Sequence, residues 1–141
     1  TFWTERVGFV AGIKTLKTMK KIKSWEKLIQ SGKYINSQWI KLSKKYDLPI
    51  TISGIESITQ FSFKQNNILY KTFITQELLK KNILGSNLVF INIYHKKKII
   101  DYYINKFDKI FYKIKQIDES KIKRNILAGK ISKISFKRLT G

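Results

Sequence analysis

Four kinds of residue in this chain could carry chemistry: the hydroxyls of Thr1 and Thr4, the single imidazole of His95, the carboxylates of Glu56 and Glu77, and a large population of lysines. Thr1 and Thr4 stand just ahead of a helical stripe that starts from Val7 and runs through Val10, Ile13, Leu16 and Met19. A helix entrance carries unpaired N–H groups and a partial positive charge, so a hydroxyl there suits an anion such as a phosphate, and equally well an ordinary helix cap. His95 closes an apolar run, a position open to a site residue or to a structural one. One His without any Cys cannot build a metal centre. Glu56 and Glu77 are too isolated in sequence to nominate as an acid/base pair. A lysine turns nucleophilic only when a pocket desolvates it, and none of these stretches announces one. There is no glycine-rich phosphate loop, no G-x-S-x-G and no H-E-x-x-H. The residue types therefore nominate no catalytic residue and no metal ligand, and leave the hydroxyls of Thr1 and Thr4 open to an anion or to an ordinary capping role.

Elements must position these groups. The chain has 141 residues, 43% of them apolar and 13% aromatic, which is enough for one domain with a real core. The first helix is expected to end near Ile22 and Lys23, with Ser24 capping a second that carries Glu26 in its first turn. In that second helix Trp25, Leu28, Ile29, Gly32, Ile35, Trp39, Leu42 and Tyr46 recur every three or four residues, until Asp47-Leu48-Pro49 stops it. Ile50 and Ile52 alternate as in a strand, Gly54 marks a bend, and Ile58, Phe61 and Phe63 supply a second strand. A polar turn at Asn66-Asn67 and a short link precede a helix capped by Thr72 or Thr75. Leu88 to Tyr94 reads as the strongest strand, apolar enough for a sheet interior, and Lys97 to Ile117 as the longest helix. The sum is an α+β domain, with helices on one face of a mostly antiparallel sheet. It divides into a leading segment, 1–47, an α/β body, 48–117, and a polar tail, 118–141.

The net charge of +20 invites a nucleic-acid reading, because basic surfaces release counterions from phosphate backbones. Of the 29 basic residues, however, only Arg6, Arg124 and Arg138 are Arg, whereas phosphate and base-edge recognition favours the guanidinium fork. The lysines are spread along the polar sides of successive helices, with no basic tail. A small basic nucleic-acid-binding module is thus the alternative reading, motivated by charge alone. No apolar run approaches the roughly 20 residues that span a bilayer, and the absence of Cys fits a reducing cytosol.

The ordered segments carry a resemblance. Written T-x9-A-G-x-x-T-L, the opening stretch places Thr1, Ala11, Gly12, Thr15 and Leu16 as in class III (fold type I) pyridoxal-phosphate aminotransferases, at the junction where a loop leads into the long helix that returns toward the small domain. The T-F-W-T-E-R version resembles glutamate-1-semialdehyde 2,1-aminomutase-like members. The likeness continues through SWEKLIQSGKYI, LPITISGI, FSFK, KTFITQELLKKNIL and the closing FKRL. It implies the small C-terminal domain of a cytoplasmic, homodimeric enzyme whose cofactor is pyridoxal 5'-phosphate. On this reading Thr1 reaches the cofactor phosphate of the neighbouring subunit, and the helix after it bridges to a large domain. The Schiff-base lysine and the Asp facing the pyridine nitrogen would belong to that large domain, so the fragment alone is expected to be inactive. Many class III aminotransferases hold a substrate carboxylate with an Arg in the strong strand. Leu88 to Tyr94 has none, as in the aminomutase-like branch. The implied reaction moves an amino group on a semialdehyde or keto substrate.

Overall fold

The computed structural model describes residues 5–120 and 126–133. In chain order these form α1 (Arg6–Ile22), α2 (Ser24–Tyr46), β1 (Ile50–Ile55), β2 (Ile58–Phe63), α3 (Asn67–Leu79), β3 (Leu88–Phe90) and α4 (Lys97–Ser120). The fold is α+β. The strands make one antiparallel sheet in the order β1-β2-β3. Its register pairs Ile52 with Phe61 and Thr59 with Val89.

Alternation in β2 selects the buried face. Thr59, Phe61 and Phe63 point into the protein and meet α2, α3 and α4 on one side of the sheet. Phe61 lies edge-on to Trp39 of α2, ring centroids 4.8 Å apart, and also meets Phe107 and Phe111 of α4. Phe63 lies edge-on to Tyr70 of α3 at 5.2 Å. Such pairs add directional attraction to the apolar area that they bury. Along α4 the buried residues are Ile100, Ile104, Phe107, Ile110, Phe111 and Ile114, a single stripe at helical spacing.

Tight backbone approaches fix where the sheet meets α2. The hairpin turn between β1 and β2 lies so close to Gly32 that a Cβ built there would stand 1.9 Å from the Glu56 carbonyl oxygen. One turn further on, Asn36 Oδ1 accepts a 2.5 Å hydrogen bond from the buried Thr59 hydroxyl. Gly54, expected as a bend, has φ +87 within β1, where a side chain would also collide with the Ile58 carbonyl.

Helix ends follow the local chemistry. Lys23 and Asp47 adopt the left-handed conformation and close α1 and α2. Leu48 N–H reaches back to Ser43 O at 3.0 Å, while Ser43 Oγ donates to Leu48 O at 2.8 Å, so the stop at Asp47 comes where Pro49 led one to expect it.

Three expectations need correction. No side chain caps α2: Ser24 is buried and its hydroxyl finds no partner, because Lys23 in the left-handed region turns the chain directly from one helix into the next. α3 begins at Asn67, whose Oδ1 accepts the Phe63 N–H at 3.1 Å; Thr72 and Thr75 lie inside the helix and donate back to Ile68 O and Lys71 O. The apolar run from Leu88 stays a strand only to Phe90, and it forms an edge of the sheet rather than its interior. The physical reason is Asn92, whose Oδ1 accepts the Tyr94 N–H at 2.9 Å and bends the chain into a turn. α4 continues past Ile117 to Ser120.

Candidate functional site

Thr1, the one residue nominated for a cofactor phosphate, lies outside the described residues, as do Thr4 and the closing FKRL. The helix that follows Thr1 is described, and it is unlike the others. Among the described residues nothing covers α1: none of its residues is buried, and Val7, Val10, Ile13 and Leu16 are all more than half exposed, Leu16 by 67%. Thr15 turns its hydroxyl back onto Ala11 O at 2.8 Å, so it does not reach outward. The last turns of α1 and the start of α2 form a shallow groove with Leu28 and the 91–93 segment; Thr18, Met19 and Ile22 line its α1 side. Trp25 and Ile29 extend the uncovered apolar surface onto the first turns of α2.

His95 sits in the turn between β3 and α4, not at a strand end. Its Nδ1 accepts the Asn92 N–H at 3.2 Å, and its own N–H reaches Asn92 O at 2.9 Å. The imidazole therefore holds the turn that launches α4, a structural task. Glu56 is at the hairpin turn, its backbone against Gly32.

Glu77 is the residue that sequence reasoning undervalued. It is buried on α3, and its two oxygens take Lys80 at 2.6 Å and Lys113 of α4 at 2.5 Å. Burial alone would raise its pKa, but the two ammonium groups outweigh that and hold the carboxyl down at about 2. A carboxylate so clamped stays ionised at neutral pH and cannot serve as a general acid there. Lys80, three residues on, was visible in the sequence; Lys113 was not, since only the packing of α4 on α3 delivers it.

Two further acids work the same way between α2 and α4. Asp101 accepts from Tyr34 at 2.7 Å and from Lys97 at 2.6 Å. Asp108 accepts from Tyr46 at 2.9 Å and from Lys45 at 2.7 Å. Each ammonium also lies over the ring of its tyrosine. Lys97 and Tyr34 lower the pKa of Asp101. Burial would raise that of Asp108, but Lys45 and Tyr46 bring it down. Tyr70 donates to Asp118 and accepts from Asn66; burial first, and then that carboxylate, push its phenol up to about 12.

These clusters answer whether the described residues fit pyridoxal phosphate. A Schiff-base lysine must be desolvated so that its amine is readily neutral, with an acid placed for the pyridine nitrogen. Lys45 and Lys97 instead have raised pKa values, because of Asp108 and Asp101, and Lys80 and Lys113 are half in solvent against Glu77. None of these four lysines is placed as a Schiff-base lysine must be. Nor do any three His, Cys, Asp or Glu side chains among the described residues group to hold a metal ion. No helix among them is long and apolar enough to cross a membrane.

No family model matches the chain, and no curated protein does. Among solved structures the chain is similar to FumI of Sphingopyxis sp. MTA144, determined in its pyridoxal-phosphate internal aldimine form. The superposition has a TM-score of 0.72 at 20% sequence identity and covers 84% of this chain. The likeness is one of fold. The chain spans 30% of the length of that protein, so what is shared is one structural unit of a pyridoxal-phosphate protein.

Proposed function

We propose that this chain is the small C-terminal domain of a pyridoxal-phosphate-dependent aminotransferase or aminomutase of the glutamate-1-semialdehyde aminomutase-like kind. The observation that carries the reading is the fold shared with a pyridoxal-phosphate protein over 84% of the chain, joined to the ordered sequence resemblance. On this reading the cofactor is held by another part of the polypeptide, where it acts as an electron sink for amino-group transfer. The uncovered face of α1 fits a helix that bridges to such a part. The intact enzyme is a cytoplasmic homodimer in which Thr1 hydrogen-bonds the cofactor phosphate of the neighbouring subunit. Its substrate is a semialdehyde or keto compound, and the lack of an Arg between Leu88 and Tyr94 favours the aminomutase-like branch over enzymes that hold a second carboxylate from this strand.

The test is to express the intact reading frame and record the cofactor's absorbance before and after adding an amino donor. A bound-cofactor band that shifts with the donor is expected; a protein that takes up no added cofactor would overturn the reading. Thr1→Ala in the same protein should weaken cofactor retention, since a hydrogen bond to a charged group contributes roughly 1.5–3 kcal/mol. Unchanged retention would remove Thr1 from the phosphate site while leaving the class intact.

A further inference from the structure

The outer edge of β3 has no strand partner among the described residues. Phe61 N–H bonds Asn87 O and Ile91 N–H bonds Ser57 O, and between them Thr59 stands opposite Val89. In an antiparallel ladder this parity turns the backbone groups of Val89 toward β2 and those of Leu88 and Phe90 outward. Leu88 N–H is met by Ser86 Oγ at 3.3 Å, whereas Leu88 C=O and both polar groups of Phe90 have no backbone partner among the described residues. Exposed edges are normally blunted by shortness, lysine, proline or a bulge; β3 is short, with three residues. Leu88-Val89-Phe90 has no lysine, no proline and an unbroken register.

Beside this edge runs an apolar groove of about 400 Å³, walled by Leu84, Phe90, His95, Ile99 and Tyr102. Leu84 is 93% exposed and Phe90 65%. Ile99 and Tyr102 are each at least half exposed. Apolar side chains left in water beside unpaired backbone groups are the two halves of a strand-addition site: main-chain bonds for affinity, a pocket for alternate side chains. The unpaired charge around it is basic: Lys80 and Lys97 are held by Glu77 and Asp101, while other lysines nearby are not. Lys80 and Lys81 precede one wall, Lys96, Lys97 and Lys98 precede the other, and from Lys80 to Ile100 there is no acidic residue. Lys81, Lys96 and Lys98 make no ion pair among the described residues. A second copy of this chain would bring the same lysines against their own kind, so charge disfavours self-pairing.

We propose that the free edge of β3 and its groove bind an extended peptide segment, apolar at alternate positions and flanked by acidic residues, which adds to the sheet as a fourth strand. The apolar side chains on one side of the added strand enter the groove between Leu84 and Tyr102. The flanking carboxylates meet the lysines at either end.

The probe is a synthetic peptide, acetyl-Glu-Glu-Val-Thr-Val-Thr-Val-Glu-Glu-amide, titrated into the isotope-labelled 141-residue chain. Saturable shifts at Leu88 to Phe90, Ile99 and Tyr102 are expected, with amide exchange at Phe90 slowed by about tenfold or more. Replacing the central Val by Pro, or all four Glu by Lys, should abolish or strongly weaken binding. Phe90→Lys should remove it, and Leu84→Glu, at a site too exposed to affect folding, should weaken it by repelling the acidic flanks. The proposal is overturned if no binding occurs, if binding leaves Phe90 exchange unchanged, or if both variants bind as the parent does. Concentration-dependent dimerisation that protects Phe90 without peptide would overturn it in favour of a second copy.

Discussion

Helices α1 and α4 are written in the same language and meet opposite fates. Both repeat apolar residues every three or four positions, and both carry several lysines. α4 buries six of its apolar residues against the sheet and its neighbouring helices, while α1 buries none among the described residues. The difference teaches that amphipathic spacing specifies a face in need of a partner and is silent on where the partner resides. α4 finds its partner in Phe61, Phe63 and Trp39. α1 touches the body only near its junction with α2, beyond the left-handed Lys23.

Substitutions can break or sharpen that contrast. Phe107→Ala should cost about 4 kcal/mol, because it empties a fully buried site that touches Trp39, Phe61, Tyr103 and Phe111. Urea unfolding of the 141-residue chain measures it, and a loss no larger than that of a surface change would deny α4 its central place. Gly32→Ala should cost about 3 kcal/mol, since its methyl must displace the Glu56 carbonyl that now stands 1.9 Å from the Cβ position. A neutral result would show that the hairpin is free to retreat from α2.

Glu77→Gln should cost about 2 kcal/mol: the carboxylate is buried, but its lysine partners are half in water and screened. The pH dependence has a definite sign. The folded pKa of Glu77 is about 2 against an ordinary 4.5, so its stabilisation is complete above the ordinary value and lost as pH falls through about 2. The parent's Tm should therefore drop more steeply than the variant's across that acid window, and parallel curves would deny Glu77 the role. Leu16→Glu should change the stability of the 141-residue chain by less than about 0.5 kcal/mol, as expected for an exposed position. A large loss there would mean that α1 is packed after all.

Several elements were legible residue by residue. The ends of α1 and α2, the two hairpin strands and the start of α4 all follow from hydrophobic period and turn chemistry acting over a few neighbours. The run from Leu88 to Tyr94 reads as one strand, because apolar β-branched residues favour a strand, while the Asn92 turn that ends it depends on a side-chain hydrogen bond to Tyr94. The start of α3 is hidden, because a Thr inside a helix and a Thr that caps one look alike until the partner of the hydroxyl is known. The candidate site was less legible. His95 became a turn residue, and Glu77 acquired Lys113 from 36 positions away.

By itself the sequence determined the class of the fold, the helical faces and the excess of lysine, since periodicity and charge are properties of order along the chain. Tertiary structure alone decided that Lys113 joins Glu77 and that Lys45 meets Asp108, that β3 forms an edge, and that α1 stays uncovered among the described residues. The reason is physical: ion pairs, sheet edges and buried faces are set by distances of a few ångströms between groups far apart in the chain, and no local pattern encodes those distances.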